Sequence, residues 1–124
     1  MTQRVTDAEL AVLQVLWDRR QATAKEIARS VYRDDGPMQV GTTHTLLQRL
    51  EKKQLVTRDR DVHPHKFTAI AGLDEIAGRE LEAVAAKLSN GSMAPFICHL
   101  LQNKRLSRAE AKEIRQMLKN YKPS

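Results

Sequence analysis

A single cysteine, Cys98, stands in a chain of 124 residues. That excludes an internal disulfide, and no multi-thiolate metal site can form without a second chain. Cys98 itself reads as a small core side chain rather than a sensor thiol. No apolar run approaches the length needed to cross a bilayer. The N-terminus, MTQRVTDAEL, carries one arginine and no apolar stretch of signal-peptide length after it, so a cytoplasmic protein without membrane insertion is expected. Also missing are a glycine-rich phosphate loop, a nucleophile motif and an isolated carboxylate pair in an apolar setting, which argues against an enzyme. His63-Pro-His65 and Cys98-His99 lack the further ligands that a closed zinc site requires, so no metal or cofactor is expected. Internal repeats and low-complexity segments are absent too.

What is present is the composition of a folded protein, with 41% hydrophobic and 29% charged residues. The length suits one domain, or a small domain with an appended oligomerisation element. The net charge of +6 is of the sign that meets polyanions. It is not localised: 12 basic residues face 9 acidic ones up to Ala71, and 9 face 6 beyond it, so each side carries +3.

Two capping boxes, Thr6-Asp-Ala-Glu9 and Thr23-Ala-Lys-Glu26, open the first two helices. The first is expected from Asp7 to about Arg19, with Leu10, Leu13, Leu16 and Trp17 at helical spacing. The second is shorter and carries Ile27, Val31 and Tyr32 on its apolar side, with the small residues Ala24 and Ala28. Residues 34–37, Asp-Asp-Gly-Pro, predict a turn. A third helix is expected from about Val40, with Thr43, Leu46, Leu47 and Leu50 on one face and Gly41, His44, Thr45, Gln48 and Lys52 on the other. Past Lys53-Gln54 the pattern changes to two short strands, 55–60 and 66–70, around a proline-containing turn. These pieces predict one small core holding Leu13, Leu16, Ile27, Leu46, Leu50, Val56 and Phe67.

Beyond Gly72, Leu73, Ile76, Ala77, Leu81, Val84 and Leu88 mark a fourth helix that Asn90-Gly91 stops. Ser92 is the expected cap of a fifth, with Pro95 in its first turn. A third capping box, Ser107-Arg-Ala-Glu110, opens a sixth. The fold class is thus mainly α: a winged helix-turn-helix of three helices plus a β-hairpin wing over residues 1–71, then a three-helix dimerisation region over 72–124. Three short helices enclose little surface alone, and the fifth is apolar nearly all round. A homodimer follows, its contacts drawn from Leu81, Val84, Leu88, Phe96, Ile97, Leu100, Leu101, Ile114 and Leu118.

This element order places the third helix in a major groove and the hairpin at the backbone of double-stranded DNA. Thr42, His44, Thr45 and Gln48 can hydrogen-bond base edges, while Arg49, Lys52 and Lys53 can neutralise phosphates. Gly41 inside a helix costs up to about 1 kcal/mol relative to alanine, and close approach of a DNA backbone is one reason to tolerate it. From the hairpin, Arg58, Arg60 and Lys66 are the expected phosphate contacts, beside His63 and His65. Two other readings stay open: the polar face and the hairpin are ordinary solvated surface, or the winged helix binds protein and no nucleic acid.

Taken together, these motifs resemble the penicillinase-repressor family, the BlaI/MecI group with its copper-responsive CopY branch. The carrying residues are Thr6-Asp-Ala-Glu-Leu-Ala-Val-Leu-Gln-Val-Leu-Trp17, the Thr-x-x-Glu start of the second helix, and Thr42-Thr-His-Thr-Leu-Leu-Gln-Arg-Leu50 followed by Lys52-Lys53. Leu106-Ser-x-x-Glu110 with Ile114 completes the set. The resemblance implies a dimeric winged-helix repressor that binds inverted-repeat operators upstream of antibiotic-resistance or stress genes, with Thr42, His44, Thr45 and Arg49 on the recognition helix. Gly41 and His44 depart from basic residues common in relatives. In the antibiotic-responsive branch, a membrane sensor protease or its downstream effector triggers cleavage in the fifth helix; the matching bond here is His99–Leu100. Paired Cys-x-Cys motifs of the copper branch are absent, so the resemblance is to the BlaI/MecI branch.

Overall fold

In the computed structural model, which describes residues 4–123, helix α1 (Asp7–Arg19) starts where Thr6 and Glu9 cap one another. The Thr6 N–H donates to the Glu9 carboxylate at 2.8 Å and the Glu9 N–H donates to the Thr6 hydroxyl at 3.2 Å, which satisfies two donors that a helix start leaves free. Helix α2 (Ala24–Tyr32) repeats the device with Thr23 and Glu26. Helix α3 (Pro37–Lys52) begins three residues before the expected Val40. Pro37 sits at its first position, where a missing N–H costs nothing and a fixed φ suits the helix, so the residue read as a turn-former belongs to the helix.

Strands β2 (Val56–Asp59) and β3 (Lys66–Ala69) form the expected antiparallel hairpin, with Val56 opposite Ala69 and Asp59 opposite Lys66. A third strand, only two residues long, has no periodic signature in the sequence. β1 (Ala22–Thr23), just ahead of α2, pairs antiparallel with β3, giving the sheet order β1-β3-β2. The expected core residues Leu13, Leu16, Ile27, Leu46, Leu50, Val56 and Phe67 are all buried, joined by Val12, Ala22, Leu47 and Leu55. The Trp17 indole N–H donates to the Ala71 carbonyl at 2.9 Å and ties α1 to the end of β3.

Helix α4 (Leu73–Ser89) begins inside this first unit, with Ile76 buried in its core. Near the helix middle Glu80 accepts from Arg4 at 2.6 Å. The first compact unit therefore runs to Glu80 and the second begins at Leu81, rather than dividing at Ala71 and Gly72. Gly91, at φ +90, ends α4 by donating to the Ala85 carbonyl at 2.9 Å. Helix α5 (Ala94–Gln102) follows, capped by Met93 without a side-chain bond rather than by Ser92, whose carbonyl instead accepts from the Ser89 hydroxyl at 2.6 Å. Helix α6 (Arg108–Asn120) opens on the expected Ser107–Glu110 capping box.

Candidate nucleic-acid interface

The register of α3 divides its residues sharply. Thr43, Leu46, Leu47 and Leu50 are buried, while Gly41, Thr42, His44, Thr45, Gln48, Arg49 and Lys52 are exposed along the opposite side. Thr42 and Thr45 donate their hydroxyls back to the carbonyls of Met38 and Gly41, at 3.1 and 3.2 Å. With the hydroxyl proton turned inward, each presents a lone pair and a methyl group outward. That combination accepts from an adenine or cytosine amino group and touches a thymine methyl.

His44 packs edge-on against Phe67, with ring centroids 6.4 Å apart and planes at 69°. It also borders an open cleft of about 320 Å³ between the start of α2, α3 and the wing tip, lined by Thr23, Ala24, Lys25, Val40, His44 and residues 63–65. Lys25 is a cleft residue that the sequence pattern does not mark. Its place after the Thr23 cap carries no signal that the wing tip lies opposite, because that proximity is set by strand pairing forty residues away. Among the described residues no three His, Cys, Asp or Glu side chains converge as metal ligands.

The cations sort into two groups. Arg49, Lys52 and Lys66 are exposed and pair with no carboxylate among the described residues, and Arg60 is 64% exposed with only a 3.6 Å approach to Glu51. These four are free to meet phosphates. Lys53 is not: its ammonium lies 2.6 Å from Glu9 Oε1 and 2.8 Å from the Arg4 carbonyl, bridging α3 to the start of α1. Arg58 is also turned inward, against its expected phosphate role. It donates to Glu51 at 2.8 Å and stacks 4.8 Å from the Phe67 ring centre.

In the second unit no side chain of α5 or α6 is buried. Ile97, Leu100, Leu101, Ile114 and Leu118 line an apolar groove of about 450 Å³ with Leu106, Ala111 and Arg115. Leu81 and Leu88 are exposed as well, whereas Val84 and Phe96 are half-buried. The His99–Leu100 bond lies inside α5, where the His99 carbonyl accepts from both the backbone and the side chain of Asn103.

Three helices, a small sheet with a hairpin wing and an outward polar third helix define a winged-helix domain, followed here by a separate helical unit. A MarR family protein from Bacillus stearothermophilus shares the fold, with a TM-score of 0.50 at 20% identity over 83% of this chain and 73% of that one. The family described as the penicillinase repressor matches residues 5–120, and the chain belongs to that family, whose members are transcriptional repressors and not enzymes. The "Transcriptional regulator BlaI" of Mycobacterium tuberculosis is 34% identical over 93% of this chain and 83% of its own length. The "Penicillinase repressor" of Staphylococcus aureus is 24% identical over 92% and 90%. No helix among the described residues is long and apolar enough to cross a membrane.

Proposed function

We propose that this repressor binds an inverted-repeat operator in the cytoplasm as a homodimer, with α3 of each protomer in successive major grooves about 34 Å apart. The observation that carries the reading is the outward face of α3. It offers four polar side chains for base edges, flanked by Arg49 and Lys52, which have no carboxylate partner among the described residues. Four exposed cations per protomer, Arg49, Lys52, Arg60 and Lys66, give a dimer about eight phosphate contacts, and hence a slope of log K against log salt of about −7. Mobility-shift titration against upstream DNA at several salt concentrations tests this directly. Selective binding with a steep slope is expected, whereas no selective binding at any salt would favour a protein-binding role.

Thr45→Ala removes one outward acceptor and one methyl group. It is expected to cost about 1–3 kcal/mol of discrimination at one base pair and to leave the other positions unchanged. An unaltered preference at every base pair would remove Thr45 from the readout.

Gly41 gives a second, sharper test. A Cβ at this position would meet no heavy atom within 4 Å among the described residues, so none of them requires glycine there. Gly41→Ala should therefore raise stability by up to about 1 kcal/mol in urea denaturation. On the present reading it also weakens operator binding, because the added methyl group stands where DNA approaches. A variant that is more stable and binds equally well would show that no such approach occurs at Gly41.

Release by cleavage at His99–Leu100 belongs to the same proposal. Because that bond is inside a hydrogen-bonded helix, cleavage requires α5 to unwind locally first. Target genes induced while the chain stays intact would exclude it.

A further inference from the structure

We infer that Glu51 and Arg58 are positioning residues, forming a strut that fixes the wing against the recognition helix so that both meet DNA as one rigid surface. The inference rests on the DNA-binding reading above. Arg58 was expected to be a phosphate contact, yet its side chain is only 14% exposed and its Nε is buried with no hydrogen-bond partner among the described residues. A guanidinium aimed at DNA would keep its donors outward. Here one terminal nitrogen is taken by Glu51 Oε1 at 2.8 Å, and the plane lies 4.8 Å from the centre of the Phe67 ring, its direct cross-strand neighbour. Ion pair and ring together hold a desolvated cation in place.

The geometry joins helix and wing at two points. Glu51 grips β2 through Arg58, and His44 meets β3 through its T-shaped contact with the Phe67 ring. The two helix residues are seven positions apart on one face of α3, which is about 10 Å along its axis. One attachment would leave a hinge; two so separated fix an angle. Glu51 also divides its arginines by role, since Oε1 holds the inward-turned Arg58 while Oε2 only approaches exposed Arg60 at 3.6 Å. Arg60 is therefore the arm that can leave for a phosphate, and Arg58 the residue that stays.

Glu51→Gln gives a test of sign. Removing a negative charge from a DNA-facing surface should by electrostatics alone tighten binding, and it should do so more if it freed Arg58 for a phosphate. The strut predicts the reverse, because a wing that must be ordered on binding lowers affinity. The probe is a duplex selected from a random pool by the wild-type protein. Glu51→Gln is expected to bind it about tenfold more weakly, with Arg58→Gln no less impaired and the double variant no worse than the weaker single one. On the wild-type protein, which needs no substitution to fold, the Arg58 Nε–H resonance should stay unmoved when DNA is added while that of Arg60 shifts. Tighter or unchanged binding by Glu51→Gln, or a DNA-induced shift of Arg58 as large as that of Arg60, would overturn the strut. A wild-type protein that selects no duplex would instead remove the DNA-binding reading itself, so the two failures are distinguishable.

Discussion

Leu101→Glu combined with Leu118→Glu is expected to convert the protein to a monomer and to lower operator affinity by about 10²- to 10⁴-fold. Both leucines are more than half exposed in the single chain, at 56% and 65%, so charging them leaves the fold of one protomer nearly untouched. They belong instead to an apolar face that runs through the α5–α6 groove with Ile97, Leu100 and Ile114. Soluble monomers seldom leave a continuous apolar patch of more than a few hundred Å² in water. A second copy of the same face is the simplest cover, and a two-fold pairing would place two recognition helices on one duplex. The affinity loss then follows from avidity, because the second half-site is no longer bound at high effective concentration. Sedimentation equilibrium should report the 14.1 kDa of one chain for the double variant and twice that for the wild type. Binding to an isolated half-site should be alike in both. A wild-type protein of single-chain mass, or a double variant with undiminished operator affinity, would contradict this arrangement.

The parts of the molecule legible in the sequence are those specified by residues close together in the chain. Each capping box is written in four residues, and all three form both reciprocal bonds. The stripe of Thr43, Leu46, Leu47 and Leu50 fixed which side of α3 is buried, and thereby which side is free. What escaped depends on distant partners. β1 is two residues long and has no periodicity of its own, existing only because Ala22 and Thr23 meet Phe67 and Lys66. Pro37 and Ser92 are ambiguous in sequence for a different reason: the residue type is equally at home in a turn and in a first helical turn, and packing decides. The cations show the limit most plainly. Arg49, Lys52 and Lys53 look equivalent in sequence, yet Lys53 caps α3 at its C-terminal end and finds Glu9, 44 positions earlier in the chain. Arg58 and Arg60, two positions apart, would share a face in a continuing strand, yet Arg58 lies within β2 opposite Phe67 and turns inward to Glu51, whereas Arg60 lies past Asp59, the last residue of β2, and is 64% exposed. Sign of charge was readable at every one of these positions; destination was not.

Lys53→Met should be among the most destabilising substitutions in the first unit, at about 3 kcal/mol near neutral pH, because it strands a buried carboxylate. Glu9 has no exposed side-chain surface, and its Oε2 already lacks a partner among the described residues. Burial by itself pushes the Glu9 carboxyl up, but the Lys53 ammonium at 2.6 Å and the Thr6 N–H outweigh it, so the group is held below its ordinary value. A carboxylate depressed in this way contributes stability above its unfolded value, and that contribution is lost as pH falls through the lower folded value. In Lys53→Met the balance inverts. Burial then dominates, the folded protein binds a proton more readily than the unfolded chain, and the variant recovers stability as the solution is acidified towards about pH 5. Urea denaturation of both proteins at pH 7.5 and pH 5.0 should show the gap between them narrowing at the lower pH. Glu9→Gln supplies the control, since glutamine keeps the capping bond to Thr6 and removes the charge. Combined with Lys53→Met it should restore much of the lost stability and abolish the pH dependence of the gap. A gap that is constant with pH, or a double variant no better than Lys53→Met alone, would mean that Lys53 stabilises the fold by packing and its bond to the Arg4 carbonyl rather than by neutralising Glu9.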